Sequence, residues 1–331
     1  MKKALKNAGV LLCMICISCS SEAYAYELLS KAKYQSEDPS IAASIVNAIT
    51  NKASETIAYI SFTDNAVYSP LGDYASSLLK TEDNLAIYKS LSELVNVRFG
   101  DFSLSSQAAF ATTEAKDEHL LPGQYEANNV SYFSGKVDEL SNSLSRFYNR
   151  EIKLMDSGDY SLDDIELSDR FPEHIAKTED IVFKGKEEKA ISALAIIQDA
   201  YFYSSSEYSS VMFNVGKTAL TIFMNSDSSV NPSLALNSKI SEIGERKRVK
   251  ISIPEFKLSS KLLLASTIEY FVQQDNSFSF DKYGVEGSSF TIMGPTSTSP
   301  DYDVAFTVDK PFMFASSYQS LPLFIGSVFS L

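Results

Sequence analysis

The chain has 331 residues, of which 44% are hydrophobic and 21% charged, and it carries a net charge of −13. That length supports a substantial core in one large domain or two ordinary ones, and the ordinary composition excludes long disorder. The acidity argues against nucleic acid or an anionic membrane surface as the main partner.

The first residues read as a signal peptide. Lys2, Lys3 and Lys6 make a positive start, Ala8 to Ile17 an apolar stretch too short to span a bilayer, and Ala23-Tyr-Ala25 a small-x-small cleavage pattern. All cysteines, Cys13, Cys16 and Cys19, precede that cut. Cleavage after Ala25 leaves residues 26–331 as a thiol-free chain suited to an oxidising compartment, secreted or periplasmic. The alternative is a lipoprotein signal with Cys19 as the lipidated residue, although Cys16 stands where such signals usually carry Leu.

In chain order, Asp38-Pro39 starts a helix with Ile41, Ile45 and Ile49 as its apolar stripe. Thr56 to Phe62 reads as a strand, Thr63-Asp64 as a turn, and Asn65 to Leu71 as a buried strand entering a helix. Helical spacing follows at Tyr74 and Leu78, then at Leu85, Tyr88, Leu91 and Leu94. Ala108 to Thr112 suits a strand and Leu140 to Tyr148 a helix, after which Ile152 and Leu154 alternate as a strand facing the core. Asp159 to Glu188 is acidic and weakly periodic, and reads as a helix with loops crossing a sheet.

Leu194 to Phe202 is a strand, and Val211–Val215 with Ala219–Met224 form a hairpin about Gly216-Lys217. The basic run Arg246-Lys-Arg248 with Lys250 reads as a solvated strand edge rather than a polyanion site. Val249 to Leu258 reads as a strand. Gly294 to Asp303 offers no apolar face and contains two prolines, so it should be exposed. Val304–Val308, Pro311–Phe314 and Leu321–Phe329 are short runs apolar on both faces, which suits strands buried on both sides, with a hairpin between the last two.

Three islands resemble the serpin family. Asn65-Ala-Val-Tyr-Ser69-Pro70 is similar to the family's Asn-x-x-hydrophobic-Ser-Pro segment, and Ile253-Pro254-Glu-Phe256 to its Pro-Lys-Phe strand, after which the resemblance implies a helix from Ser260 to Phe271. Pro311-Phe312 followed by Leu323-Phe324-Ile-Gly326-Ser-Val328 is similar to its C-terminal signature, with Ser327 where a basic residue is usual. Leu194 to Phe202 resembles the family's central strand, with a competing register on Val182–Gly185; the chain lacks the Trp expected near there. The resemblance implies an α+β fold with a large, mostly antiparallel sheet, packed helices and a smaller buried sheet, shortened relative to the full family and forming one domain over residues 26–331.

It also implies an exposed reactive loop at about 287–303, with Glu286, Gly287 and Ser288 as hinge and Pro300, Asp301 and Tyr302 near the scissile bond. In a second register, Phe278–Asp281 follows the preceding helix, Ser289–Met293 is the strand before the loop, and only 294–303 is bait. In the family, cleavage lets the loop insert into a sheet and trap the protease. Phe290, Ile292 and Met293 are bulky for a hinge, and Pro295 lacks an amide hydrogen, so insertion is expected to be slow or arrested. No Lys or Arg lies between Tyr283 and Asp309, which disfavours a trypsin-like target; Tyr302 or Met293 suits a chymotrypsin-like or elastase-like pocket, unless Tyr302 simply begins the next strand.

An enzyme has little to stand on. His119 and His174 are the only imidazoles, no nucleophile elbow, zinc-binding helix or phosphate loop occurs, and the mature chain has no thiolate. The expectation is a monomeric protease inhibitor without cofactor or metal. The alternative is a binding or structural protein of the same fold that has lost loop insertion.

Overall fold

The computed structural model describes residues 39–60, 62–79, 82–113, 122–171, 176–227, 229, 231–237, 243–266, 271–286 and 302–331. Helix α1 (Pro39–Ile57) buries Ala42, Ile45, Ile49, Ala53 and Ile57. Ile41 is 46% exposed, contrary to the expected stripe, because steps of four residues drift around a helix of 3.6 residues per turn. Thr56 and Ile57 end this helix instead of starting a strand. The Thr56 hydroxyl is held by the Lys52 carbonyl at 3.1 Å and the Asp73 carboxylate at 2.8 Å.

Strand β1 (Ala66–Tyr68) runs into helix α2 (Pro70–Ser77), with Ser69 as cap and Pro70 in the first turn, as its sequence implies. Helix α3 (Glu82–Val95) buries Leu85, Tyr88, Leu91 and Leu94. Strands β2 (Val97–Phe99) and β3 (Phe102–Thr112), helix α4 (Pro122–Ala127), strand β4 (Val130–Ser134) and helix α5 (Val137–Phe147) follow. Ile152 and Leu154 do not join a sheet. Their amides bond the Ser145 and Ser141 hydroxyls of α5 at 2.9 and 3.1 Å, so this extended segment docks on the helix.

The acidic stretch expected to be helical forms strands β5 (Asp159–Arg170) and β6 (Ala176–Lys184). Its period-2 pattern is masked because Asp163 and Asp169 occupy core-facing positions alongside Ile165 and Leu167. Strand β7 (Glu188–Ser204) leads to the hairpin β8 (Tyr208–Val215) and β9 (Thr218–Asn225). Helix α6 (Pro232–Asn237) precedes β10 (Glu245–Pro254).

The basic run lies on β10, whose pairing with β14 begins only at Val249, so that Arg246 to Arg248 are paired by β7 on one side, and Arg246 and Arg248 are exposed. Its charges are compensated: Arg246 meets Asp199 at 3.4 Å, Lys247 meets Glu245 at 2.6 Å, and Lys250 meets Glu179 at 2.6 Å. The segment expected to be a helix from Ser260 belongs to β11 (Phe256–Ser266), and β12 (Phe271–Asp281) pairs with it. Phe256, Leu258, Leu262 and Leu264 alternate with Lys257, Ser259 and Lys261, a strand period that the apolar Leu262-Leu263-Leu264 run conceals.

Short β13 (Gly284–Glu286) ends this part of the chain, and β14 (Val304–Thr307), β15 (Phe312–Tyr318) and β16 (Leu321–Val328) close it. Gln319 and Ser320, both at positive φ, make the last hairpin turn. One mixed sheet has the order β1-β16-β15-β9-β8-β7-β10-β14, with β6 beside β7. The other has the order β11-β12-β13-β5-β3-β2, with β4 beside β3. Aromatic rings join the two sheets: Phe278 stacks on Phe314 at 4.6 Å, and Phe256 meets Phe312 at 5.5 Å. Such contacts contribute roughly 0.5–1.5 kcal/mol each beyond the area they bury.

Candidate functional site: a slot between two strands

The three sequence islands meet. Asn65 pins the C-terminus, donating to the Ser330 carbonyl at 2.8 Å and accepting from the Phe329 amide at 2.7 Å. Ser69 donates its hydroxyl to the Leu323 carbonyl at 2.9 Å and accepts from the Gly72 amide at 3.1 Å. A Cβ on Gly326 would lie 2.4 Å from the Phe314 ring and 2.6 Å from the Ala66 carbonyl, so β16 can lie against β1 only without a side chain there. Pro254, Phe256, Pro311, Phe312 and Phe324 are all buried in the same interior. Ser327 is buried as well, its hydroxyl on the Asp64 carbonyl at 2.7 Å, a bond that a longer basic side chain would have to displace.

The loop leaves one sheet and enters the other. Upstream, the Asp281 carboxylate accepts from the Tyr283 and Gly284 amides at 2.8 and 3.3 Å and reverses the chain. Strand β13 then runs back antiparallel to both β12 and β5, setting Val285 opposite Phe280 and Asp169. Val285 is fully buried. Gly284 has φ +148°, and a Cβ there would sit 2.1 Å from the Asp169 carbonyl oxygen, so only glycine fits the entry. Below Glu286, among the described residues, no strand lies between β5 and β12, and the two do not pair with each other. The result is a slot bordered by Asp159–Leu167 on one side and 271–278 on the other.

Carboxylates and amides fix its walls. Asp169, 2% exposed, accepts on Oδ2 from the Lys217 and Thr218 amides at 2.6 Å each and on Oδ1 from Arg170 N at 3.0 Å, tying the top of β5 to the β8–β9 turn. Burial raises its pKa against the lowering effect of those amides. On β12, Gln274 accepts from Ser69 N at 2.8 Å and donates to Ser69 O at 2.9 Å, while Asn276 donates to Val67 O at 3.0 Å. Through them α2 is held beneath the slot.

Downstream, Tyr302 is 47% exposed, and Asp303 clamps the chain to β10: its amide donates to Arg248 O at 2.8 Å and its carboxylate accepts from Arg248 N at 3.0 Å. Gly287, Ser288, Pro300 and Asp301 lie outside the described residues, as do Ser289–Met293, Pro295, His119 and His174. The strand flanking the slot is β5, not Leu194–Phe202. That segment is part of β7 and Val182–Gly185 includes the end of β6, both in the other sheet. Phe278–Asp281 lies within β12, so the part of the second register that can be placed falls on a strand. Gly284, Val285 and Asp169 were not singled out from the sequence, and the pair Asp163-Asp164, which reads there as surface charge, has the Asp163 carboxylate enclosed; a buried charge every sixth residue in an otherwise alternating strand is the signal that could have found Asp163 and Asp169.

Among the described residues no cluster of three His, Cys, Asp or Glu side chains could hold a metal, and no helix is long and apolar enough to cross a membrane.

No protein-family model and no curated protein matches the sequence. Solved structures do. Serpin48 of the insect Tenebrio molitor matches with a TM-score of 0.61 and 14% identity over 90% of this chain and 100% of that one. The thermophilic serpin tengpin in its native state matches with a TM-score of 0.63 and 14% identity over 86% and 94%. Human thyroxine-binding globulin, complexed with its hormone, matches with a TM-score of 0.63 and 10% identity over 86% and 96%. Two sheets in this order and these neighbours together make the chain a protein of the serpin fold.

Proposed function

We propose that the chain is a secreted inhibitor of serine or cysteine proteases that presents residues 287–303 as bait and takes up the cut loop as a new strand. The observation that carries the reading is β13. The chain upstream of the bait already occupies the top of a slot whose lower part is unfilled by any strand among the described residues. Continuing the same register sets residue 294 opposite 271 and residue 295 opposite Asp159, at the foot of the slot. Pro295, whose missing amide argued for arrest, would then have no ladder bond to lose beyond the last pair. Phe290 and Ile292 would project to the face of β5 that carries Tyr160 and Leu162, beside the apolar cluster under α5.

In this reading the protease hydroxyl or thiol attacks the bait carbonyl and forms an ester or thioester as the new amino terminus leaves. Insertion then pulls the acylated enzyme away before water can release it. The absence of Lys and Arg between Tyr283 and Asp309 favours a chymotrypsin-like or elastase-like target. Export through the amino-terminal signal, or anchoring through Cys19, belongs to the same proposal. Thyroxine-binding globulin among the matches motivates a second reading, a binding protein that kept the fold without trapping. Incubation with chymotrypsin-like and elastase-like proteases separates them. An SDS-resistant complex supports trapping, whereas clean cleavage with full enzyme turnover removes it.

A further inference from the structure

A second cleft lies at the far edge of the sheet, away from the slot. Strand β3 pairs with β5 along one edge, and its other edge is shared by two strands. There β2 runs antiparallel to Phe102–Leu104, and β4 runs parallel to Ala108–Thr112. Residues 105–107 face neither strand, which leaves a gap in the ladder.

The chain leaving α3 braces this gap without filling it. The Asn96 side-chain oxygen accepts the Ser106 amide at 2.9 Å, and its nitrogen donates to the Ser92 carbonyl at 2.9 Å and the Ser92 hydroxyl at 2.8 Å. Both hydrogens of this carboxamide are thereby committed, so the wall is fixed. A residue's N–H and C=O leave a strand on the same side, and the Ser106 carbonyl therefore also looks into the gap. Glu93 of α3, Asn129 and Ser131 at the start of β4, and Phe147 at the end of α5 complete a cleft of about 630 Å³. Small-molecule sites span roughly 300–1,000 Å³.

The lining selects a class of ligand. It holds no Lys, Arg or His among the described residues, so nothing there balances a phosphate, sulfate or carboxylate. Apolar side chains are a minority of it, which disfavours a lipid or an aromatic hormone. The side chains of Gln107, Asn129 and Ser131 make no hydrogen bond among the described residues, and Glu93 makes no ion pair there. Carboxamides and carboxylates are planar groups with two polar atoms side by side, which match the neighbouring hydroxyls of a sugar ring. The Phe147 ring is held edge-on by Phe133 at 5.3 Å and Tyr148 at 4.8 Å, and supplies fixed apolar surface for the C–H face of such a ring.

We propose that the gap between β2 and β4 binds a neutral saccharide. The Gln107 and Asn129 carboxamides and the Glu93 carboxylate bond its hydroxyls, and the Ser106 carbonyl accepts one more. Strands β3 and β5 stand between this cleft and the slot, so the site does not depend on loop uptake.

The test follows the side-chain amide signals of Gln107 and Asn129 by NMR in the isotope-labelled protein. Methyl glycosides of glucose, galactose, mannose and N-acetylglucosamine are titrated in turn, with glucuronic acid as the charged comparison. At least one neutral sugar should shift both signals saturably, and glucuronic acid should bind at least tenfold more weakly. Binding read at the Ser131 amide should weaken roughly tenfold in Gln107→Ala and in Asn129→Gly, and stay unchanged in Gln198→Ala on β7. Both cleft side chains are exposed and without partners, and glycine tolerates the φ of +62° at position 129, so these variants fold as the wild type does. No saturable shift with any neutral sugar, equal binding of glucuronic acid, or full-strength binding in both cleft variants overturns the proposal.

Discussion

Replacing Gly284 with alanine tests whether β13 is the start of an inserted strand. The new Cβ would meet the Asp169 carbonyl oxygen at 2.1 Å and the Arg170 Cα at 2.7 Å. Both are backbone atoms that cannot swing aside, and φ +148° is itself unfavourable for alanine. Releasing β13 from the sheet is the cheaper outcome. It exposes Val285, at about 1.5–3 kcal/mol, and breaks ladder hydrogen bonds worth about 1 kcal/mol each. It also returns about 1–2 kcal/mol of conformational entropy for each freed residue. The net loss is roughly 2 kcal/mol, a fall in Tm of a few degrees. Hydrogen exchange should show the Val285 and Glu286 amides losing protection, while Val249 and Ile251 in the other sheet keep theirs. A wild-type Tm together with full protection at Val285 would refute the reasoning.

Three further outcomes follow from the same contacts. Asp169→Ala leaves the Lys217 and Thr218 amides without their acceptor; at about 1.5–3 kcal/mol for each bond to a charged group, the loss should be roughly 3–5 kcal/mol by chemical denaturation, and a loss below 1 kcal/mol would contradict the anchoring role. Ser327→Arg puts a guanidinium at a fully buried position, in place of the hydroxyl bonded to the Asp64 carbonyl, and should cost roughly 3 kcal/mol or more in the same assay. The carboxyl of Asp163 titrates higher in the folded chain than in the unfolded one, so the native state binds the extra proton between about pH 4 and about 7 and its stability falls as pH rises through that window. With an ordinary value of 3.8, the contribution is at most roughly 4 kcal/mol, and pH-dependent melting of wild type against Asp163→Asn should show the slope only in the former.

What the sequence disclosed and what it hid divide along one physical line. Strands apolar on both faces, such as β15 and β16, and the capped entry at Ser69-Pro70 announce themselves because burial and capping each demand particular residue types. Strand β5 did not: Asp163 and Asp169 are acidic residues at core positions, bonded by Tyr88 and Ser106 on Asp163 Oδ1 and by the Lys217 and Thr218 amides on Asp169, partners that are distant in sequence. The helix expected at Ser260 failed for the opposite reason, since Leu262, Leu263 and Leu264 look helical until pairing with β12 fixes a period of two. Gly284 is one of 13 glycines and becomes telling only once Asp169 is seen against it.

Loop uptake is the claim on which the functional reading stands, and a comparison of melting before and after a single cut addresses it. Protein nicked between residues 293 and 302 by a chymotrypsin-like or elastase-like protease, with both pieces retained, should melt roughly 10 °C or more above the intact chain as residues 287–294 fill the slot. An equal or lower melting temperature in the nicked protein would contradict the account.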